Sequence, residues 1–269
     1  MTYFRLLGAF EVTSGRNCTP RAPKLRSVLA LLLLQANRVV HMDTMIEELW
    51  GPTPPQSAVT IVQTYIYHLR KIFAAEKLDP PGKPLLATKP PGYLLQAGPE
   101  QVDVEVFERL VRQGRDLKDK DHPHQAAAIL SQALDMWTGP ALADVPQGTL
   151  LQAHAVHLEE RRINALELRI QLDVTLGKHR ELIAELRSLT CAHPLNEWFH
   201  GQLIAVLTRS GRRGEALQAY EDLRALLSEE LGVDPSPALQ RLQLQVLSLG
   251  GPERRSSRQR DKEPLWLAS

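Results

Sequence analysis

Apolar and polar residues alternate with helical spacing from residue 56 to residue 75. The apolar residues recur at steps of three and four and predict one buried stripe: Val59, Val62, Ile66, Leu69 and Phe73. The opposite stripe carries hydroxyl, amide, aromatic, imidazole and cationic groups: Thr60, Gln63, Thr64, Tyr67, His68, Arg70 and Lys71. Most amphipathic helices present such a face only to water. The stripe alone therefore leaves two interpretations open, a solvated surface and a face that reads a DNA major groove.

Weaker patterns before this helix predict the rest of a small α+β domain. Residues 3–12 alternate loosely and predict a strand pair. Residues 23–36 predict a buried helix with Pro23 in its first turn, where the missing N–H has no cost. Residues 44–50 predict a second helix, with Asp43 as its cap or first-turn acid.

The connections around the long helix have clear turn signals. Gly51 ends the second helix, and prolines 52, 54 and 55 keep the chain out of helix until Ser57, a candidate N-cap. Beyond the long helix, two short apolar runs at 85–88 and 93–95 flank KPPG and predict a β-hairpin, with Gly92 supplying the turn freedom.

Strand pair, three helices and hairpin together predict a winged helix-turn-helix. In that architecture the third helix enters the major groove, and the hairpin wing lies near the minor groove and contacts phosphate. The candidate base contacts are Thr60, Gln63, Thr64, Tyr67 and His68. The candidate phosphate contacts are Lys24, Arg26, Ser57, Arg70, Lys71 and Lys89. For Arg70, an ion pair with Glu47 or Glu48 inside the domain is an equally open alternative.

The chain beyond residue 103 has helical periodicity almost throughout. Amphipathic helices are predicted around 107–117, 126–137 and 150–176. Two related segments then begin at Gly177 and Gly211, 34 residues apart, which is the tetratricopeptide period. We therefore predict an α+β winged helix-turn-helix domain at 1–97, an all-α tetratricopeptide-like repeat domain at 98–250, and a disordered basic tail at 251–269.

Charge is distributed unevenly along the chain, although the formal net charge is only +1. Residues 1–97 hold 11 Lys and Arg against 6 Asp and Glu, whereas residues 98–250 hold 16 against 22. A basic first third joined to an acidic remainder fits a protein whose beginning meets a polyanion and whose remainder meets protein. The excess is modest, so we expect one copy to bind DNA weakly and to benefit from a second.

Catalytic and metal-binding patterns are weak. The sequence contains no Walker loop, GxSxG, HExxH or dinucleotide fingerprint. The His pairs at 122 and 124 and at 154 and 157 have spacings that fit metal ligands, but lack nearby cysteines, which favours solvated or capping roles. We expect no catalytic residue, no cofactor and no metal. With no signal peptide or apolar span of about 20 residues, we also expect a cytoplasmic, nucleoid-associated protein without membrane contact.

Three sequence blocks resemble one family. KLRSVLALLLLQANRVVHMDTMIEELWG, then PPQSAVTIVQTYIYHLRKIF, then ATKPPGYLL are similar to the DNA-binding domain of the Streptomyces antibiotic regulatory protein family, a branch of the OmpR/PhoB-type winged helices. TGPALADV and ELGVDPSPALQ resemble its bacterial transcriptional activator domain, so the resemblance covers residues 3–249. Relatives often carry more Arg or Lys early in the recognition helix, where this chain has Thr60, Thr64 and Tyr67.

The resemblance implies a pathway-specific transcriptional activator of antibiotic biosynthesis genes. Family members bind direct repeats in double-stranded DNA as side-by-side protomers, and hold RNA polymerase through its principal sigma factor. Two other functions stay open: a ligand-gated regulator that senses a metabolite in the helical domain, and a tetratricopeptide adaptor whose winged helix is only a protein-binding platform.

Overall fold

A computed structural model describes residues 2–79 and 84–249 of the chain. The chain divides into two compact units, Met1–Arg169 and Ile170–Ser269. The domain boundary predicted after residue 97 lies inside the first unit. It stays a prediction. The tail at 251–269 lies outside the described residues.

The amino-terminal part of the first unit is a winged helix-turn-helix, as predicted. Among the described residues of this part, two small antiparallel sheets lie beside its helices: β1 pairs with β2, and a second sheet has the order β3-β5-β4. The elements are β1 Tyr3–Arg5, β2 Glu11–Thr13, α1 Pro23–Leu34, β3 Val39–His41, α2 Met42–Trp50, α3 Ala58–Ala75, β4 Leu86–Lys89 and β5 Gly92–Leu95.

Strand β3 was not predicted from the sequence, and it changes the role of Gly92. Val40 pairs with Tyr93, so the predicted hairpin is the central and outer part of a three-stranded sheet. Gly92 is not at the turn but in β5, where a Cβ would collide with the carbonyl oxygen of Val40. The prediction of turn freedom at Gly92 was wrong, because the glycine is needed for close approach of two strands.

Helix α3 begins at Ala58, directly after the predicted N-cap residue Ser57. Ser57 is its N-cap residue by position, but its hydroxyl makes no cap hydrogen bond. Val59, predicted to face the core, is 46% exposed, and Ala58 is buried instead. The prediction for Val59 was therefore wrong by one position, whereas Val62, Ile66, Leu69 and Phe73 are buried as predicted.

The first unit continues with helices at the predicted segments, although α5 ends at Leu134 rather than at the predicted Trp137. These are α4 Asp103–Asp119, α5 Pro123–Leu134 and α6 Thr149–Thr175, and α4 packs closely on α5. Trp137 is buried after α5 and meets the ring of Phe107 edge-on, with centroids 5.5 Å apart. The division between the two units falls within α6.

The described part of the second unit contains two helical hairpins with the predicted repeat. Its helices are α7 His179–Ala192, α8 Glu197–Arg209, α9 Arg213–Leu231 and α10 Pro237–Ser248. Gly177 and Gly211 stand before α7 and α9 and have nearly equal left-handed φ angles, 78° and 77°. Equivalent backbone geometry at a 34-residue spacing confirms the tetratricopeptide-like repeat.

A segment between α5 and α6 packs on the winged helix, and we call residues 138–148 the strap. The backbone N–H of Thr138 donates to the carbonyl oxygen of Leu7 at 3.0 Å, and that of Leu142 donates to the carbonyl of Leu6 at 2.9 Å. The core that contains α1, α2 and α3 also includes three side chains from the strap and the start of α6: Leu142, Val145 and Leu151. The winged helix therefore shares one core with the beginning of the helical region.

Two carboxylates anchor this shared core to the chain after β1. The Asp103 carboxylate accepts hydrogen bonds from the N–H groups of Leu6 and Leu7, at 2.7 and 2.9 Å. Burial raises the pKa of Asp103 to about 6, although those two N–H donors act in the opposite direction. In the strap, Asp144 accepts from the N–H of Phe10 at 2.6 Å. The N–H groups of Leu6, Leu7 and Phe10 lie outside the β1–β2 pairing. These two carboxylates from the helical region accept their hydrogen bonds.

Candidate nucleic-acid interface

The packing of α3 decides which of its residues face outward. Its buried residues lie at three- and four-residue steps and turn the opposite side of the helix away from the core: Ala58, Val62, Ile66, Leu69 and Phe73. All seven polar residues predicted for the outer stripe are exposed: Thr60, Gln63, Thr64, Tyr67, His68, Arg70 and Lys71. The structure thus places the candidate base contacts together on one continuous face.

This face carries several kinds of chemical group, most of which are available to an external partner. The Thr64 hydroxyl donates to the carbonyl oxygen of Thr60 at 2.8 Å, which leaves its methyl group and its lone pairs for an external partner. Tyr67 is 61% exposed and lies edge-on to His68, with ring centroids 5.6 Å apart. The two rings lie side by side in the stripe, and Gln63 adds an amide one turn earlier.

Arg70 connects α3 to the wing. Its Nε donates to the carbonyl oxygen of Leu86 at 3.0 Å, and Nη2 donates to Thr88 Oγ1 at 2.8 Å. The guanidinium carbon is 5.9 Å from the ring centroid of Tyr93. The alternative of an ion pair with an acid of α2 is not observed, because the guanidinium lies on the β4–β5 hairpin. A phosphate contact by Arg70 stays a prediction, to which the structure adds a positioning role.

Two further cations lie at the edge of this face. Lys71 is exposed on α3 and Lys89 is exposed at the end of β4, next to the hairpin turn. In the part of the chain that the structure describes, neither ammonium group has an ion-pair partner. Both are available to phosphate oxygens. The Ser57 hydroxyl, exposed at the start of α3 and free of a cap bond, is available as well.

Lys24 and Arg26 are engaged inside the first unit. Lys24 Nζ donates to the carbonyl oxygen of Leu49 at 3.3 Å and lies 4.5 Å from the centroid of the Trp50 ring. Arg26 Nη1 pairs with Asp144 at 2.7 Å, and its Nε donates to the carbonyl of Pro20 at 2.8 Å. Their predicted phosphate contacts stay predictions, but this geometry uses both side chains to hold the unit together.

Two residues of the exposed surface escaped the sequence analysis. Val59 adds an exposed apolar side chain beside Thr60. Thr88 is exposed on β4 and holds the guanidinium of Arg70. No local signal marks Thr88, because its partner lies 18 residues away. For Val59, the signal was the small neighbour Ala58, which takes the first buried position of the helix in place of Val59.

Other kinds of site have little support in the described ranges 2–79 and 84–249. They contain no group of three His, Cys, Asp or Glu side chains arranged to hold a metal ion. None of their helices is long and apolar enough to cross a membrane. The exposed face of α3, together with its wing, is accordingly the candidate interface.

Comparison with known proteins gives the family. The family described as "Transcriptional regulatory protein, C terminal" matches residues 17–95, and the "Bacterial transcriptional activator domain" matches residues 102–247. The regulatory protein DnrI of Streptomyces peucetius is 42% identical over 237 residues, which is 87% of each chain. The regulatory protein AfsR of Streptomyces coelicolor is 38% identical over 91% of this chain, which spans only 24% of AfsR.

A solved structure has the same architecture. Mycobacterium tuberculosis EmbR, in complex with a low-affinity phosphopeptide, superposes with a TM-score of 0.84 and 33% sequence identity. The match covers 94% of this chain and 66% of that chain. Both family matches follow the order found in the structure, a winged helix-turn-helix and then the helical region. The chain belongs to the Streptomyces antibiotic regulatory protein family of transcriptional activators.

Proposed function

We propose that this activator binds DNA sequence-specifically through the exposed face of α3, with the β4–β5 wing beside the minor groove, and controls a secondary-metabolite gene cluster. One observation carries the proposal. The outer side of α3 is an uninterrupted exposed row of hydrogen-bonding, aromatic and cationic groups, while its inner side is fully buried. An α-helix with such a face fits the width of a DNA major groove.

The composition of the row favours certain base edges. The methyl groups of Thr60 and Thr64, together with Val59, fit the thymine C5-methyl group, while Gln63 and His68 offer hydrogen bonds to base edges. The row has no Arg before Arg70, and Arg is a residue that makes bidentate contacts to guanine. Such contacts are therefore not the main way in which this row would bind base edges. We therefore expect A·T-containing half-sites.

Affinity would come from the cations around the row. Lys71 and Lys89 have no intramolecular ion-pair partner among the described residues, and their ammonium groups can neutralise backbone phosphates. Each neutralised phosphate contributes about 0.9 to the slope of log affinity against log salt concentration. So few cations give weak binding by one copy. This supports binding of side-by-side protomers to direct repeats, where each protomer adds to the affinity of the other.

Activation would come from contact with the transcription machinery. The family relationship supports recruitment of RNA polymerase through its sigma factor by protomers bound near a promoter. The acidic excess of residues 98–250 fits a region that meets protein rather than DNA.

The test is a footprint on DNA from the neighbourhood of the chain's own gene at near-physiological salt. It compares the wild type with the triple variant Thr64→Ala, His68→Ala, Lys71→Ala. The matched control changes the same residue types on exposed positions outside the winged helix: Lys118→Ala, His124→Ala and Thr175→Ala. Thr175 is a close match, because its hydroxyl also donates to the carbonyl four residues earlier, at 2.9 Å.

We expect the wild type and the control to protect spaced direct repeats, and the α3 variant to lose protection while remaining folded. Equal protection by all three proteins would remove α3 from the interface. Weak retention of any DNA by all three, without discrete protection, would favour the adaptor function instead.

A further inference from the structure

A buried carboxylate of the helix-turn-helix holds the beginning of α6. Glu48, in the last turn of α2, is 5% exposed. Its carboxylate accepts hydrogen bonds from three backbone N–H groups: Gly148 at 2.6 Å, Leu150 at 2.8 Å and Leu151 at 3.2 Å. The first N–H groups of a helix have no partner within the helix and are usually capped by the residue just before it. Here the cap is a side chain 100 residues earlier in the chain.

The contact is shaped on both sides. A Cβ at Gly148 would collide with the backbone carbonyl oxygen of Glu48, so only glycine allows α2 and the start of α6 to approach so closely. Next to it, the Ser27 hydroxyl of α1 donates to the carbonyl of Pro146 at 2.6 Å. Two independent features, a carboxylate with three donors and a glycine at the point of contact, thus specify the same junction.

Helix α2, which carries Glu48, packs on α3. Only residues 51–57 separate α2 from α3. We propose that Glu48 is a positioning residue that couples the DNA-reading helix to α6. The proposal rests on the proposed function, since it adds a route by which DNA bound at α3 orders the start of α6. By reciprocity, loosening the start of α6 weakens DNA binding.

A carboxylate is the group that this junction requires. Its two oxygens accept all three hydrogen bonds, and its negative charge lies at the positive end of the α6 dipole. A Gln side chain has the same length but only one acceptor oxygen, and its NH2 group would face backbone N–H donors. Glu48→Gln therefore breaks the coupling chemically, and Gly148→Ala breaks it sterically without a change of charge.

The experiment measures amide hydrogen exchange in the full chain, with and without promoter-region DNA from its own gene. The reporter amides are those of Gly148, Leu150 and Leu151. Asp144→Asn is the matched control, because it removes a strap carboxylate that binds Phe10 and Arg26 rather than α2. Thermal unfolding of each variant separates loss of coupling from loss of the fold.

We expect DNA to slow exchange at the three reporter amides in the wild type and in Asp144→Asn. In Glu48→Gln and in Gly148→Ala this slowing disappears, and DNA affinity falls by about 5-fold or more. The proposal would be overturned if DNA slowed exchange at these amides in Glu48→Gln or Gly148→Ala as much as in the wild type, and if the DNA affinity of that variant were unchanged. If Glu48→Gln does not fold, Gly148→Ala decides alone.

A DNA-free arm keeps this test independent of the proposed function. If the wild type retains no DNA, the proposed function fails, and exchange at Val62 and Ile66 of α3 is compared between wild type and Glu48→Gln. Faster exchange at these amides in Glu48→Gln, but not in Asp144→Asn, still supports coupling between α6 and α3. Unchanged exchange refutes it.

Discussion

Asp103→Asn should remove a pH dependence that is built into the first unit. Asp103 is 1% exposed, and its carboxylate binds the N–H groups of Leu6 and Leu7. Burial raises its pKa from the ordinary value of 3.8 to about 6. The folded protein therefore holds this proton to a higher pH than the unfolded chain does. Its stabilising contribution is fully present below pH 3.8 and is lost as the pH rises through 6.

The size of the effect is set by the two pKa values. Their difference corresponds to about 3 kcal/mol of unfolding free energy between acidic and neutral pH. About 1.5 kcal/mol of this falls between pH 5 and pH 7.5, where most proteins are measured. Asn has no such titration, and its amide oxygen can accept the same two hydrogen bonds. Any effect of the amide group itself on the unfolding free energy would be the same at every pH, so it would not change the pH dependence.

The assay is chemical denaturation of wild type and Asp103→Asn at several pH values from 5 to 7.5. We expect the unfolding free energy of the Asn variant, relative to wild type, to increase by about 1.5 kcal/mol over this range. Asp116→Asn, an exposed change on the same helix, is the control for the amide substitution itself. A flat or falling difference for Asp103→Asn would refute the reasoning.

Two further changes test the wing and the shared core. Arg70→Lys keeps the positive charge but loses the paired contacts to Leu86 and Thr88, so we expect faster amide exchange in β4 and weaker DNA binding. Normal binding would show that the wing needs no such support. Leu142→Ala, at a fully buried position of the strap, should lower the unfolding free energy of the first unit by about 2–5 kcal/mol in denaturant titration. Leu244→Ala, at a site 64% exposed, should change it by less than about 0.5 kcal/mol, and a similar small loss at Leu142 would contradict the shared core.

The helices were predictable from the sequence because their signals are local. Apolar spacing, the glycines before α7 and α9, and the prolines before α3 all act within a few residues. Strand β3 escaped because it has only three residues and is defined by pairing with β5, more than fifty positions later. The exposure of Val59 escaped because periodicity alone does not separate two neighbouring apolar residues at the start of a helix.

The candidate interface could be predicted from the sequence only where its geometry depends on residues close together in the chain. The exposed row on α3 could be derived from the helical period, and the structure places its seven residues on one face. The partners of Arg26, Arg70 and Glu48 could not, since each depends on a contact between distant segments. Cations look alike in a sequence, and only the fold distinguishes those with intramolecular partners from those that face outward.

The shared core also affects the order in which the protein can mature on the ribosome. Leu142, Val145 and Leu151 complete the core on which α3 packs, yet they are synthesised well after the wing. A nascent chain that has emerged only through β5 contains the whole of α3. It still lacks the three side chains that complete the core on which α3 packs. Chains that terminate before Leu151 would then lack part of this core and be more exposed to proteases, so that only chains extending into α6 hold a fully supported α3.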